Sequence, residues 1–400
     1  MDPMRKLLFL TSSIVFFDTL FFTALTPLLP HYAHALDLGK TGAGVLAAAY
    51  PAGCLLSAIP SGWVATRAGA KPTVIAGLTV VACCTVLFGI ATTAWELDVA
   101  RFAQGFASAF TWTGALTWLV AAAPAATRGR TIGNAFAAAS AGALFGPVLG
   151  AIASQAGVRA TFVAVGVGSL GLALWALLSH AERPIEAQPI SVLLRAMRTR
   201  SVLLGCWFVT MAALCFGTLG VLAPLRMSAI GIGTVAIGAT FLVGAGGETG
   251  MNLVIGRAAD RYGSLLPMRV GLVAALLVSL LLAIPSHTTA VVFVLVVIAC
   301  IAFGMFFTPG MTVLTNGGEA AGVGFGYSVA LVNMAWAPGQ ALGAAGSGAL
   351  AHLSSDTVPY LVLATVSALT LAALWRASTV LTTRSAQVLS APSSATTGAD

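Results

Sequence analysis

Charge is what this chain has least of. Its 400 residues include 12 acidic and 19 basic side chains, a charged fraction of 8%, against roughly 25% in soluble domains. With 58% of residues hydrophobic, that scarcity excludes a soluble globular protein and calls for a polytopic membrane protein in a lipid bilayer. Cysteine is also sparse. Cys54, Cys83, Cys84, Cys206, Cys215 and Cys300 all lie in apolar runs without a CxxC pair, so no metal site and no disulfide framework is read from them. No alternating strand pattern supports a barrel, which leaves helices as the spanning element. A nucleotide-binding loop, a metal cluster and a nucleophile beside a base are all missing, so the chain is not read as an enzyme and no cofactor is expected.

What is present is a succession of long apolar segments. Windows of about 20 residues place about twelve transmembrane helices near 7–33, 42–65, 72–93, 97–121, 131–155, 160–180, 201–224, 233–256, 267–285, 289–313, 322–350 and 357–377. The fold class is therefore an all-α membrane protein. Basic residues gather in alternate loops: Arg5, Lys6, Arg67, Lys71, Arg128, Arg130, Arg183, Arg195, Arg198, Arg200, Arg257, Arg261, Arg269, Arg376 and Arg384 on one side, against Lys40, Arg159 and Arg226 on the other. This asymmetry, and not a nucleic-acid partner, accounts for the formal charge of +7. The positive-inside rule makes both termini cytoplasmic. The first apolar run follows Arg5 and Lys6 and reads as an uncleaved helix.

The segments repeat. A shift of 194 residues superposes Pro30 on Pro224, Gly39 on Gly233, Gly62 on Gly256, Arg67 on Arg261 and Gly69 on Gly263. The expected organisation is a six-helix half over 1–180, a cytoplasmic linker over 181–200, a second six-helix half over 201–378, and a disordered Ser-, Thr- and Ala-rich tail over 379–400. The linker carries Arg195, Arg198 and Arg200 on a short amphipathic stretch expected along the membrane surface. Duplicated halves of this kind are a transporter architecture with the site between the repeats.

Several residues stand out against this apolar background. Asp18 lies near the middle of the first span and Glu248 deep in the eighth, and an intramembrane acid is a functional-site hypothesis by default. Arg101 enters the fourth span, where insertion costs roughly 2.5–3.5 kcal/mol, so it needs partners. Asp98 at i−3 and Gln104 at i+3 are the candidates. Gly142, Gly146 and Gly150 form a smooth stripe that lets a second helix approach, and Pro147 bends the helix locally. Span 11 echoes the stripe in Gly339, Gly343, Gly346 and Gly348. Pro27 and Pro30 are expected to interrupt the outer end of span 1. Trp112 and Trp118 in span 4, with Phe303, Phe306 and Phe307 in span 10, are candidates to line an apolar cavity. Asn333 in span 11 is a candidate hydrogen-bonding group for substrate.

The loop Gly62-Trp63-Val64-Ala65-Thr66-Arg67-Ala68-Gly69-Ala70-Lys71 and its copy Gly256-Arg257-Ala258-Ala259-Asp260-Arg261-Tyr262-Gly263 resemble the G-x-x-x-D-R-x-G-R-K signature of the major facilitator superfamily. The resemblance covers essentially the whole chain. The first copy has Thr66 at the acidic position, which puts the family's cytoplasmic latch in doubt; Asp260 keeps it in the second. Arg101-Phe102-Ala103-Gln104-Gly105 resembles the superfamily's R-x-x-Q-G motif, which implies a role for Arg101 in proton coupling. Gly142 to Gly150 is similar to the span-5 signature of proton-coupled exporters, with Ala151 in place of its last glycine. Span 1 is similar to that of the twelve-span drug–proton antiporters and vesicular monoamine transporters, which implies that Asp18 binds substrate or protons. Where the latter carry an acid in span 11, this chain has the neutral Asn333.

The reading that follows is a multipass protein of the plasma (inner) membrane. It exports small hydrophobic or cationic molecules by alternating access in exchange for protons, with the proton gradient as its energy source. It is expected to act as a monomer. A proton-linked sugar or amino-acid transporter is the alternative, and a non-transporting receptor is disfavoured.

Overall fold

The computed structural model describes residues 3–124, 128–180 and 188–390; the side chains of Pro3, Asp260 and 377–390 lie outside the described residues. Residues 181–187 of the expected linker and 391–400 of the expected tail lie outside them as well.

The described chain is helical, with no strand among those residues. The elements are α1 (Pro3–Ala35), α2 (Gly39–Arg67), α3 (Ala70–Ile90), α4 (Ala94–Ala122), α5 (Arg128–Ala156), α6 (Val158–Leu178), α7 (Ile190–Ala196), α8 (Arg200–Ala229), α9 (Thr234–Tyr262), α10 (Leu265–Ala283), α11 (Thr289–Ala320), α12 (Phe325–Leu353) and α13 (Thr357–Ser390). All but α7 are long. Among the described residues nine helices are long and apolar enough to cross a membrane by length and composition. The other long ones are α4, α9 and α12, each of 29 residues, about 43 Å at 1.5 Å per residue. Their lower hydropathy has a physical cause. They carry the polar and small residues that face the interior of the bundle, where protein and not lipid is the solvent.

Local chemistry sets the ends of the helices. The backbone amides of Thr92 and Thr93 both donate to Glu96, which closes a capping box on α4 and satisfies donors the first turn would leave bare. The tight turns after α2 and α9 fall at Gly69 and Gly263, both at positive φ (92° and 78°), a region that favours glycine. The duplicated loop is thus a duplicated turn. Pro27 and Pro30 do not interrupt α1, which continues to Ala35. Two missing amide donors are tolerated there because neighbouring helices and hydroxyls can take up freed backbone groups in a membrane bundle.

The packing is a repeated pattern. In the first set α1 lies on α5, α2 and α3 lie on α4, and α3 lies on α6. In the second set α8 lies on α12, α9 and α10 lie on α11, and α10 lies on α13. The halves meet chiefly where α2 runs along α12 and α5 along α9. Gly348 near the end of α12 meets Lys40 at the start of α2, so the start of α1 and the end of α13 lie together at the other end of the bundle, called here the termini end. The short α7 packs one face on the second half, with Leu193 and Ala196 buried in a cluster with Leu314, Val323 and Tyr327, and leaves Ile190 and Leu194 exposed on the other. Helix α13 continues beyond Ser378 to Ser390, into the segment whose composition reads as tail.

Candidate functional site

Close helix approach builds the site. On α5 a Cβ at Gly142 would collide with the Phe16 carbonyl of α1, one at Gly146 with the Thr23 hydroxyl, and one at Gly150 with the Ala24 carbonyl. The glycine stripe is therefore the α1–α5 contact within the first half. The opposite side of α5 faces the other half: a Cβ at Gly238 of α9 would lie 2.8 Å from the Pro147 carbonyl and 3.2 Å from Ala151. The span-11 echo works the same way, with Gly339 and Gly343 set against the Thr210 and Leu214 carbonyls of α8. Gly346 has open space around it, and Gly348 meets Lys40 of α2.

A second approach positions the polar core. Gly105 of α4 sits against the Tyr50 carbonyl of α2, and Gly53 of α2 against the Phe102 carbonyl of α4. This draws the polar face of α4 onto α1 and α2. Arg101, Gln104, Ser108, Thr111 and Trp112 recur at helical spacing along that face.

Asp18 is 5% exposed and accepts four hydrogen bonds. Three converge on Oδ2, from the Ser108 hydroxyl at 2.6 Å, Trp112 Nε1 at 2.8 Å and the Tyr50 hydroxyl at 3.0 Å. The Thr111 hydroxyl reaches Oδ1 at 3.2 Å and also has the Ser108 carbonyl at 2.8 Å as an acceptor. Four donors and no cation in direct contact make this a cradle of neutral dipoles for a carboxylate.

Arg101 is 2% exposed. Its guanidinium donates to the Phe21 and Phe22 carbonyls of α1 at 3.3 and 3.2 Å and to Gln104 Oε1 at 3.2 Å. Gln104 passes the contact on to the Thr85 hydroxyl of α3 at 3.1 Å. Asp98 is not its partner, since the salt bridge found among the described residues lies elsewhere. The carbonyls of α1 lie across the helix interface and take that place. Arg101 also stands over the Tyr50 ring, 4.9 Å from its centroid, and within 5.9 Å of Phe88. Tyr50 thus touches both charged groups, one by its hydroxyl and the other by its ring face. Its ring also packs on Phe22 at 5.0 Å, and Phe22 meets Trp336 of α12 edge-on at 5.3 Å. A small cavity of about 30 Å³ lies beside this junction, lined by Phe22, Thr26 and Arg101 from one half and Gly217 and Gln340 from the other.

The remaining candidates are dispersed. Glu248 lies on Gly304 of α11, where a Cβ would come within 2.9 Å of its carboxyl. One turn along, the Thr308 hydroxyl donates to Asn252 at 2.9 Å, which extends a polar stripe between α9 and α11. Asn333 is half-buried, and its Nδ2 is without a hydrogen-bond partner. Trp118, Phe303 and Phe306 are fully buried core residues, the last two packed on Phe216 and Phe208; they pack where a cavity wall was expected. Phe307 is half-buried. Trp112 binds Asp18.

At the termini end, a Cβ at Gly62 would lie 3.2 Å from the Tyr327 ring of α12. The Thr66 hydroxyl turns back to the Trp63 carbonyl at 3.0 Å. Arg67 stacks over Trp63 and Arg261 over Tyr262. Lys71 ties α3 to α6 through the Leu177 and Ser179 carbonyls at 2.8 and 2.6 Å. Gly256 has open space around it. The side chain of Asp260 lies outside the described residues.

Sequence reasoning missed Tyr50, Ser108, Thr111 and the pair Lys40–Asp356. Ser108 and Thr111 were legible, because they continue the helical stripe that begins at Arg101. Tyr50 carries no local signal beyond being a phenol in an apolar span.

Comparison with known proteins agrees with this architecture. The family model described as Major Facilitator Superfamily matches residues 11–331. The chain is 29% identical over 174 residues to the MFS-type transporter ppzB of Metarhizium majus, covering 40% of this chain and 38% of that protein. It is 29% identical over 167 residues to Multidrug resistance protein 1 of Bacillus subtilis, covering 41% and 43%. The chain thus spans less than half the length of these curated relatives. Among solved structures, the nucleoside transporter NupG superposes with a TM-score of 0.72 at 17% identity, over 94% of this chain and 99% of that one. A bacterial homologue of the human lysosomal transporter Spinster gives 0.69 at 17% identity, over 88% and 83%. At that identity the likeness is one of fold.

Proposed function

The chain belongs to the major facilitator superfamily of membrane transporters, and we propose that within it the protein exports small hydrophobic or cationic molecules in exchange for protons. The membrane in this reading is the plasma (inner) membrane, and the loop charges support a cytoplasmic termini end. The observation that carries this reading is the buried Asp18 carboxyl in its cradle of four donors, joined through Tyr50 to Arg101. One negative site inside the membrane can be neutralised by a proton or faced by a cation, and occupancy by one disfavours the other. Exclusive occupancy is the thermodynamic core of exchange, since each ligand shifts the balance between inward and outward states only by its differential affinity. The α5 glycine stripe supports the same reading, because α5 also carries Pro147 and Ala151, which meet Gly238 of α9 in the other half. The name of the Bacillus subtilis relative supports export of drug-like molecules.

The test is Asp18→Asn in proteoliposomes with an imposed proton gradient. The variant is expected to fold and to lose gradient-driven accumulation of ethidium, a hydrophobic cation. Retention of pH-dependent transport by the folded variant rules the reading out.

A further inference from the structure

Resting on that reading of Asp18, we infer that Tyr50 is the positioning residue that ties the occupancy of Asp18 to the contact between the two halves. Four observations converge on it. Tyr50 is 4% exposed and is fixed by the backbone contact of α2 with Gly105. Its hydroxyl is the one donor to Asp18 that comes from α2; the others come from α4. Its ring lies beneath Arg101. And α2 is the helix of the first half that runs along α12, with Tyr50 reaching Trp336 there through Phe22.

The cradle gives this arrangement a direction. Oδ2 is filled by three donors, so an incoming proton bonds to Oδ1, where only Thr111 stands. Thr111 keeps an acceptor in the Ser108 carbonyl when Oδ1 becomes a hydroxyl. The proton converts Oδ2 from half of an anion to a neutral carbonyl oxygen, and the bonds to it lose their charge assistance, roughly half of their strength. Ser108 and Trp112 move with α4 whatever happens. The α2 bond, at 3.0 Å the longest of the three, is the one whose weakening frees the helix that runs along α12. Tyr50 then keeps its packing on Arg101 and Phe22 and its place in the cluster with Cys54, Ala337 and Trp336, the last two of which belong to α12.

The titratable groups facing Asp18 are Tyr50 and Cys54 of α2 and Arg101 of α4. Helix α5 presents glycines to this stretch of α1. Near Trp336, α12 carries the uncharged Asn333, and Glu248 of α9 lies against α11. Elsewhere on the contact between halves stand Lys40 with Asp356 and His31 and His34, which line a cavity with Ser228 and Thr234; variants confined to the Asp18 cluster separate its share of a pH response from theirs.

The experiment measures the distance between spin labels placed at Gln155→Cys and Thr288→Cys, one in each half, as pH is varied in a background whose native cysteines are replaced. The parent is expected to change its distance distribution with a single midpoint. Tyr50→Phe keeps the ring and removes the hydroxyl, and is expected to lose at least half of the amplitude. Ser108→Ala removes a donor to the same oxygen from α4. It is expected to keep the amplitude and move the midpoint by about half to one pH unit, as for one hydrogen bond to the charged form. A parent-like amplitude in Tyr50→Phe, equal losses in both variants, or no pH response in the parent each overturns the inference. Ethidium accumulation by the unlabelled parent, driven by a proton gradient, is scored separately and bears on the proposed function alone. If Tyr50→Phe does not fold, Phe22→Leu takes its place. It breaks the link to Trp336, leaves the Asp18 cradle whole, and is expected to reduce the amplitude without moving the midpoint.

Discussion

Lys40 and Asp356 join the two halves at the end of the bundle opposite the termini, with Nζ 2.6 Å from the carboxylate. Lys40 opens α2 and Asp356 precedes α13, so the pair bridges elements that separate if this end opens. Beside it, Gly44 and Gly348 let α2 and α12 touch backbone to backbone. The two halves are thus in direct contact opposite the termini.

Both side chains are about a third exposed, and such pairs contribute roughly 0.2–1 kcal/mol. Lys40→Ala or Asp356→Ala is expected to shift the balance toward opening at this end by up to about fivefold. Exchanging the charges in Lys40→Asp with Asp356→Lys is expected to restore it. Accessibility of a cysteine at Leu29 to a membrane-impermeant reagent checks both. The effect should shrink as salt rises, because screening acts on exposed pairs.

Arg101 is held by its shape as much as by its charge. Two nitrogens reach two carbonyls and Gln104 together, a spread that an ammonium cannot match. Arg101→Lys keeps the charge and is expected to lose at least one of these bonds, worth roughly 1.5–3 kcal/mol. Transport should fall about tenfold or more, with a lower thermal midpoint in detergent. Transport equal to the parent would show that charge alone suffices.

The glycine stripe allows a paired comparison. Gly146→Ala drives a methyl into the Thr23 hydroxyl and within 2.7 Å of the Leu20 carbonyl, an overpacking that costs roughly 1–3 kcal/mol. Gly346→Ala meets nothing within 4 Å and is expected to be neutral, or to stabilise by up to about 1 kcal/mol through helix propensity. Thermal unfolding in one detergent separates the two.

Thr66 occupies the position where the duplicated loop elsewhere carries an acid. Its hydroxyl serves only its own helix, while its methyl faces Gly326 of α12 at 3.8 Å from the place of a Cβ. Thr66→Asp places a charge at the seam on the termini end and is expected to change the population closed at that end. Cysteine accessibility measured at both ends reports it. An unchanged balance would mean that the position has no latch function in this protein.

Much of this was legible before folding. The scarcity of charge dictated a lipid solvent and the 194-residue shift a duplicated bundle, because each depends on composition and period alone. Asp18 and Arg101 were visible because an ionisable group in hydrocarbon is costly wherever the chain goes. Their partners were not. Asp98 is the neighbour of Arg101 in sequence, yet the carbonyls of Phe21 and Phe22 hold it, across the α1–α4 contact. Tyr50 becomes part of the site only because Gly105 lets α2 and α4 touch. Phe303 and Phe306 have the chemistry of a cavity wall, but their helix turns them into the core. Side-chain type and helical spacing determine which face a residue occupies; only the packing of one helix on another decides what that face meets. Hydrogen bonds reach about 3 Å, and the distances between these helices are not written in the order of their residues.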